Sequence, residues 1–462
     1  MSHAEKHKRT WDYPLNWYNK FQVSGSKNFH QFQFNLRKDE DVLKEIANNK
    51  ETGVIGYLLY EDGKIVIDES DIPTRWQGDK IIRGLLPSHS IGKSLVSYVT
   101  GHAICEGYID NINETLTGWK IVENTLFQDQ PLIDLLNMQA GDDKYIGERR
   151  KPKKDSVLKQ HPKVNVNTIP LTDVIQKYFQ NTKRELSSFN AKKAKYNYSA
   201  LTTNVIMNYV IHKTGKDWEG LLHKVFNNHV KVKGDVRFLQ TTNRNSWGSE
   251  LRLRETGRYS FYANRYDYLR IAKTMLDDWH NDTCVGKYLK MIYKGRIKKK
   301  TNSRHQTDVA LYTASYGGQF HFDIFGIQKR KIIGMSGFAG QQILIDIDTK
   351  RIVVVNSLYR NYDWKKIVYN KIKLQYEKKN PDSPNTVKPV SLKSEFNKFS
   401  KKQREQLQLN LKKLDFYQLS IDGSFGKGTA SALVAYNKKY LGNSNLKKSK
   451  NVDKLFNKIL ME

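Results

Sequence analysis

Pro87-Ser-His-Ser-Ile-Gly-Lys-Ser-Leu-Val-Ser-Tyr-Val-Thr-Gly-His-Ala-Ile-Cys-Glu-Gly107 is the stretch around which this 462-residue chain is read. From Ile91 the apolar residues Ile91, Leu95, Val96, Val99, Ala103 and Ile104 recur mostly at three- and four-residue steps, which predicts a helix with one buried face. Ser88 and Ser90 are candidate caps for its start. If Ser90 opens the helix, Lys93 falls one turn on and on the same side. That is the Ser-x-x-Lys arrangement, in which a lysine amine activates a serine hydroxyl. The spacing alone is cheap in a lysine-rich chain, since Ser24, Ser90, Ser156, Ser424 and Ser444 each begin a copy. Only the Ser90 copy opens a long apolar helix, whose free N–H groups and positive dipole end would face a developing oxyanion.

The length predicts two or three domains with ample core. No run reaches the roughly 18 to 20 apolar residues of a membrane helix. The N-terminus shows no apolar segment of a signal peptide, so the compartment stays open: cytoplasmic by default, cell envelope if the chain is exported. Two cysteines, Cys105 and Cys284, cannot make a disulfide framework or a four-ligand zinc site, and both are expected to be buried small hydrophobes. No metal or cofactor is expected. The formal charge of +31 favours anionic partners such as wall polymers or acidic lipid. The basic runs at Arg149–Lys154 and Arg296–Lys300 read as solvated loops, and no nucleic-acid-binding signature accompanies them.

Residues 1 to about 50 read as an N-terminal arm, aromatic at Trp11, Tyr13, Trp17, Tyr18 and Phe21, with a polar helix near Asp39 to Asn49. Gly53–Tyr60 and Lys64–Glu69 are β-rich runs joined by Glu61-Asp62-Gly63, a hairpin signal. Leu132–Met138 is a short apolar segment, Glu148–Pro170 a long surface loop near the pocket rim, and Leu171–Phe179, Thr203–His212 and Tyr266–Trp279 carry helical patterns. Strand-like text returns at Gly318–Phe325, Gln341–Ile347 and Arg351–Leu358. Strands at both ends with helices between predict one mixed sheet assembled from the two ends of a domain at 51–375. A polar, proline-punctuated linker at 376–395 follows, then a helical unit at 396–462.

Three elements come in order: Ser90 with Lys93, then Tyr196-Asn-Tyr198-Ser-Ala200 leading into a helix, then Gly334-Met-Ser-Gly-Phe-Ala-Gly-Gln341 before a strand. Together with Leu135-Leu-Asn-Met-Gln-Ala-Gly141, this order resembles the serine β-lactamase and penicillin-binding-protein superfamily, in particular its class C-like esterases, DD-peptidases and 6-aminohexanoate-dimer hydrolases. The resemblance covers about Gly53 to Leu358. It implies an α+β fold, a β-lactamase-like antiparallel sheet flanked by helices and joined to a helical region, followed by a small all-α domain. It also implies that Ser90 is the acylated nucleophile, Lys93 its activating amine and Tyr198 a proton relay. Ser336 and Gly337 match the strand motif whose backbone N–H completes the oxyanion hole with that of Ser90. Met335 and Ala200 stand at substrate-binding positions where relatives carry Lys or His, and Asn or Ser. Their lack of polar groups argues against strong β-lactamase or carboxypeptidase activity and favours an ester or amide with a less anionic acyl group.

The C-terminal Ile421-Asp-Gly-Ser-Phe-Gly426 loop before Thr429 and Ala432 resembles the peptidoglycan-binding-like three-helix module, which implies wall binding. Asp422 reads as a turn residue rather than a calcium ligand. The expected activity is therefore serine hydrolysis of a small ester or amide. The alternatives are a non-catalytic wall- or polyanion-binding protein with a relict hydrolase domain, and a DD-peptidase or weak β-lactamase. An α/β-hydrolase competes through Ser88-His-Ser-Ile-Gly92, which nearly spells a nucleophile elbow. In the expected reading His89 is a neighbour of the cap, and His102 and His321 are core or pocket-wall residues.

Overall fold

The computed structural model describes residues 20–72, 84–142, 175, 179, 195–240, 255–299, 313–373, 391–442, 444–446 and 449–462. The aromatic cluster at 11–18, the 148–170 loop, the 171–179 helix apart from Ile175 and Phe179, the Ser156 motif copy, and the linker up to residue 390 lie outside them. The chain divides into two compact units, 1–373 and 374–462.

In the first unit the strands are β1 (Lys20–Val23), β2 (Gln33–Phe34), β3 (Val54–Glu61), β4 (Lys64–Ser70), β5 (Leu86–Pro87), β6 (Val236–Gln240), β7 (Gly257–Ala263), β8 (Ile297–Lys298), β9 (Thr313–Gly317), β10 (Phe320–Ile324), β11 (Ile332–Gly337), β12 (Gln341–Asp346) and β13 (Arg351–Ser357). Nine of them form one sheet in the order β2-β4-β3-β13-β12-β11-β10-β9-β8, antiparallel except where β2 lies along β4. The sheet is thus assembled from both ends of the unit, with β3 paired to β13 in the register Tyr60↔Ile352. The Asp62-Gly63 hairpin takes positive φ at both residues (50° and 84°), the geometry this dipeptide favours. Every residue of β3 and β13 is buried, as expected of strands covered on both faces.

The main helices are α1 (Glu40–Ala47), α2 (Ile91–Cys105), α3 (Leu132–Leu136), α4 (Ala200–Thr214), α5 (Arg265–His280) and α6 (Cys284–Lys294). Val42 and Ile46 of α1, with Trp364, Ile367 and Val368, cover one face of the sheet. The other face packs against the larger core shared by α2, α4, α5 and α6. A second, four-stranded sheet, in the order β1-β6-β7-β5, is not among the elements expected from the sequence. The antiparallel centre of the main sheet is unlike the parallel β-α succession that a nucleophile elbow requires.

Two expectations need correction. Helix α2 does not bury one face: every residue from Ile91 to Ala103 is buried. Its polar residues are absorbed individually, Ser94 donating to the Gln319 carbonyl (2.7 Å), Tyr98 to Asp278 (2.7 Å), and Ser97 pairing with the Tyr288 hydroxyl (2.8 Å). The cysteines are not independent apolar fillers either. Cys105, the last residue of α2, and Cys284, the first of α6, form a disulfide. Packing of α6 along α2 brings together residues 179 apart in sequence, a proximity that spacing cannot reveal.

The second unit has three principal helices, α7 (Lys401–Lys413), α8 (Lys427–Tyr440) and α9 (Ser449–Leu460), around Leu407, Leu411, Leu433, Tyr436, Val452 and Phe456. The capping box Ser400/Gln403 starts α7.

Candidate active site

Ser90 is the last residue before α2, and its carbonyl accepts the Lys93 N–H (3.0 Å). Neither serine caps the helix as expected. The Ser90 side chain makes no capping bond. Ser88 instead fastens the turn to β7: its N–H donates to the Phe261 carbonyl (2.8 Å), its hydroxyl accepts the Phe261 N–H (3.1 Å) and donates to the His89 carbonyl (3.0 Å). His89 takes φ 47°, turning the chain so that Ser90 stands at the helix end. Burial pushes the His89 imidazole down to about 4, so it is uncharged near neutral pH. Gly92 lies against the Tyr259 carbonyl so closely that no side chain fits there.

Lys93 is 1% exposed, a lysine amine buried one turn beyond Ser90. The Ser24 and Ser424 copies of the motif, by contrast, have exposed lysines at Lys27 and Lys427. The Lys93 nitrogen lies 3.3 Å from the centroid of the Tyr259 ring and 5.2 Å from that of Tyr198. Burial lowers the Lys93 pKa, and the interaction with Tyr259 opposes that shift.

Tyr198 is brought in by the start of α4 and is 42% exposed. Ser199 caps that helix by accepting the Thr202 N–H (3.2 Å). Asp142 holds the cap, accepting from the Ser199 hydroxyl (2.5 Å) and the Thr202 hydroxyl (3.1 Å), and the Asn197 N–H donates to the Met138 carbonyl (2.8 Å). The 135–141 run and its neighbour Asp142 therefore orient the tyrosine segment. Ala200 is the first residue of α4 and is half-buried. Behind Tyr198 the Tyr316 ring stands edge-on at 6.0 Å.

Strand β11 ends against the turn before Ser90. Gly337 abuts the Ser88 carbonyl, and the ring of the half-exposed Phe338 lies edge-on to His89 at 5.6 Å. The registered pairing of β10 with β11 is confined to His321↔Gly334. Ser336 is buried, and its hydroxyl has no hydrogen-bond partner among the described residues. Met335 is fully buried in the larger core, on the face of the sheet that packs against α2. Lys93, Tyr198 and the β11 end thus gather around the start of α2.

Tyr259 and Asp142 went unassigned in the sequence. Tyr259 belongs to β7, whose alternation is too weak to mark a strand, and Asp142 follows the 135–141 run with no spacing of its own. Among the described residues no group of three or more His, Cys, Asp or Glu is placed to hold a metal ion, and no helix is long and apolar enough to cross a membrane.

No family model matches the chain, and no curated protein matches it by sequence. Solved structures do match its fold. A candidate 6-aminohexanoate-dimer hydrolase from Bacillus anthracis superposes with a TM-score of 0.53 at 14% identity, covering 81% of this chain and 95% of the other. Unliganded simvastatin synthase from Aspergillus terreus superposes with a TM-score of 0.50 at 12% identity, covering 73% of this chain and 100% of the other. The chain accordingly has a mixed, β-lactamase-like fold of helices and sheets.

Proposed function

We propose that the chain is a serine hydrolase that cleaves an ester or amide through an acyl-enzyme on Ser90. The observation that carries this reading is the buried Lys93 amine, one turn past Ser90 and flanked by Tyr198 and Tyr259. Burial depresses the amine, and a fraction of uncharged lysine near neutral pH is what a base at this position requires. In the proposed step Lys93 takes the Ser90 proton as Oγ bonds to the carbonyl carbon. The N–H groups of Ser90 and of the β11 end stabilise the oxyanion, as the positive helix end would. The bond to the leaving oxygen or nitrogen then breaks as Lys93 and Tyr198 return the proton to it. Water repeats the sequence on the acyl carbon, releasing the acid and restoring the Ser90 hydroxyl.

Ser336 and Gly337 serve in this reading as the strand wall of the site. Ala200, half-buried at the start of α4, and Met335, buried on the α2 side of β11, remain the substrate-binding candidates of this reading. An uncharged His89, the half-exposed Phe338 and Tyr198 favour an acyl group of low charge. A fluorophosphonate probe tests the reading: wild type should be labelled on Ser90, and Ser90→Ala should lose the label. Labelling that persists in Ser90→Ala removes Ser90 as nucleophile, and an unlabelled wild type favours the relict-domain alternative. We also propose that the three-helix second unit binds anionic wall polymer, a reading supported by its Asp-Gly loop and the chain's +31 charge. Co-sedimentation with purified peptidoglycan should deplete the intact protein from solution.

A further inference from the structure

We propose that Tyr259 is a positioning residue of this site: its ring fixes where the Lys93 amine rests and favours the protonated form that results when the amine takes the Ser90 proton. The inference rests on the hydrolase reading for its consequence, but not for its measurement.

The geometry comes first. Lys93 leaves α2 into a space where its nitrogen lies 3.3 Å from the Tyr259 centroid, well inside the roughly 6 Å over which a ring face attracts a cation. Tyr198, the phenol named by the sequence pattern, is farther, at 5.2 Å. Tyr259 is itself fixed at both ends of its peptide. Its N–H donates to the Asn204 side chain of α4 (3.2 Å), and its carbonyl is pressed against Gly92 in the first turn of α2. One residue of β7 therefore touches the helix that carries the nucleophile, the helix that follows Tyr198, and the lysine between them.

The electrostatics follow from this. Tyr198 and Tyr259 are the titratable side chains facing Lys93 among the described residues, and no carboxylate contributes to its charge state. A buried amine with no carboxylate beside it is a weak base, poorly able to take the Ser90 proton. The face of the Tyr259 ring and a hydrogen bond with its hydroxyl together supply the missing attraction without the ion pair that a carboxylate would form. Tyr259 thus opposes the effect of burial, and the balance of the two leaves Lys93 able both to accept and to donate.

The test reads the amine directly. Protein labelled with 13C at the lysine ε-carbon is titrated by NMR, with the Lys93 signal assigned by its absence from Lys93→Met. Tyr259→Leu should lower the Lys93 midpoint by about one pH unit or more, the size expected for a desolvated cation–π contact. Tyr259→Phe keeps the ring face but loses the hydroxyl's hydrogen bond, so it should lower the midpoint by less than Tyr259→Leu does, which also guards against a folding defect in the leucine variant. An unmoved or raised midpoint in Tyr259→Leu overturns the proposal. A midpoint that falls equally in both variants overturns it as well, by assigning the effect to the hydroxyl. Fluorophosphonate labelling of the same samples is scored separately. If Ser90 labels, the acid limb of its rate should move with the midpoint. If wild type does not label while the Lys93 midpoint still shifts, the hydrolase reading fails and the role of Tyr259 stands.

Discussion

Gly337 presses its α-carbon against the carbonyl oxygen of Ser88 so closely that a β-carbon there would run into it. This contact sets the end of β11 beside the start of α2, two segments about 250 residues apart in the chain. Because the obstacle is backbone on a turn fastened to β7 by Ser88, it cannot swing away as a side-chain tip could. Gly337→Ala should therefore push the strand end off the helix start, costing on the order of 1–3 kcal/mol by overpacking. Fluorophosphonate labelling of Ser90 should slow by as much as a hundredfold, since misplacement by about 1 Å can cost that much. Gly426→Ala, which meets open space in the second unit, is the control and should leave labelling unchanged. Equal labelling rates in the two variants would show that the strand end has no part in the site.

How much of this was legible in the sequence depends on how local each signal is. Helix α2 was readable because its apolar residues repeat over four turns, and the β3–β4 hairpin because Asp62-Gly63 names its own turn. The second sheet, the Tyr259 contact and the disulfide depend on segments far apart in the chain, and no local periodicity encodes such meetings. Burial of Ser94, Ser97 and Tyr98 was hidden for a related reason: polar side chains read as surface until the carbonyl, hydroxyl or carboxylate that accepts them is known.

The buried histidines make stability sensitive to mild acid. His102 is 7% exposed, and burial, helped by nearby His229, pushes its pKa down to about 3. Unfolded, it would titrate near its ordinary 6.5. Between those values the unfolded chain binds a proton that the folded chain refuses, so this contribution is fully present above pH 6.5 and is lost as pH falls toward 3. The slope is about 1.4 kcal/mol per pH unit, or roughly 2 kcal/mol between pH 7 and pH 5. His102→Phe should make denaturant stability flatter across that interval by about this amount. Asp278, held below its usual range partly by hydrogen bonds from His229, Tyr98 and Thr283, acts in the opposite sense only in stronger acid: its stabilisation is present above 3.8 and lost as pH falls through its lower folded value. An unchanged pH 7 to 5 slope in His102→Phe would show that His102 is protonated or exposed in solution.

The Cys105–Cys284 disulfide ties the far end of the Ser90 helix to the start of α6. Such bonds persist in oxidising compartments and are rare in reducing ones, which runs against the cytoplasmic default expected from the N-terminus. A loop of this length predicts a large effect on the unfolded chain, on the order of 2–5 kcal/mol. Cys105→Ser with Cys284→Ser should lower the melting temperature of the first unit, and dithiothreitol should do the same to wild type but not to the double variant. Mass spectrometry of a non-reduced digest should find the linked peptide pair. Free thiols at both positions in protein prepared without reductant would contradict the bond.

In the second unit the Asp-Gly loop is organised by one buried amide. Gln408 accepts the N–H groups of Asp422 (3.1 Å) and Gly423 (2.8 Å), and its own NH2 reaches the Ser424 carbonyl (3.0 Å), the Asp422 carboxylate (3.1 Å) and the Thr429 hydroxyl (3.2 Å). Gly423 turns the chain with φ 67°, and Asp422 closes the turn by accepting the Ser424 N–H (2.8 Å). These bonds engage one oxygen of the Asp422 carboxylate, Oδ1, in the turn. Gln408→Leu removes acceptor and donor together and leaves the Gly423 N–H buried without its partner, at about 1–3 kcal/mol per stranded group. Gln408→Glu keeps the acceptor but sets a second carboxylate beside Asp422, so its loss at pH 7 should shrink on acidification as the new carboxyl is protonated. Calorimetry should resolve this as a lowered transition for the second unit with the first unmoved, and millimolar calcium should shift neither. A calcium-dependent rise in the second unit's transition, abolished by Asp422→Asn, would reassign the loop as a metal site.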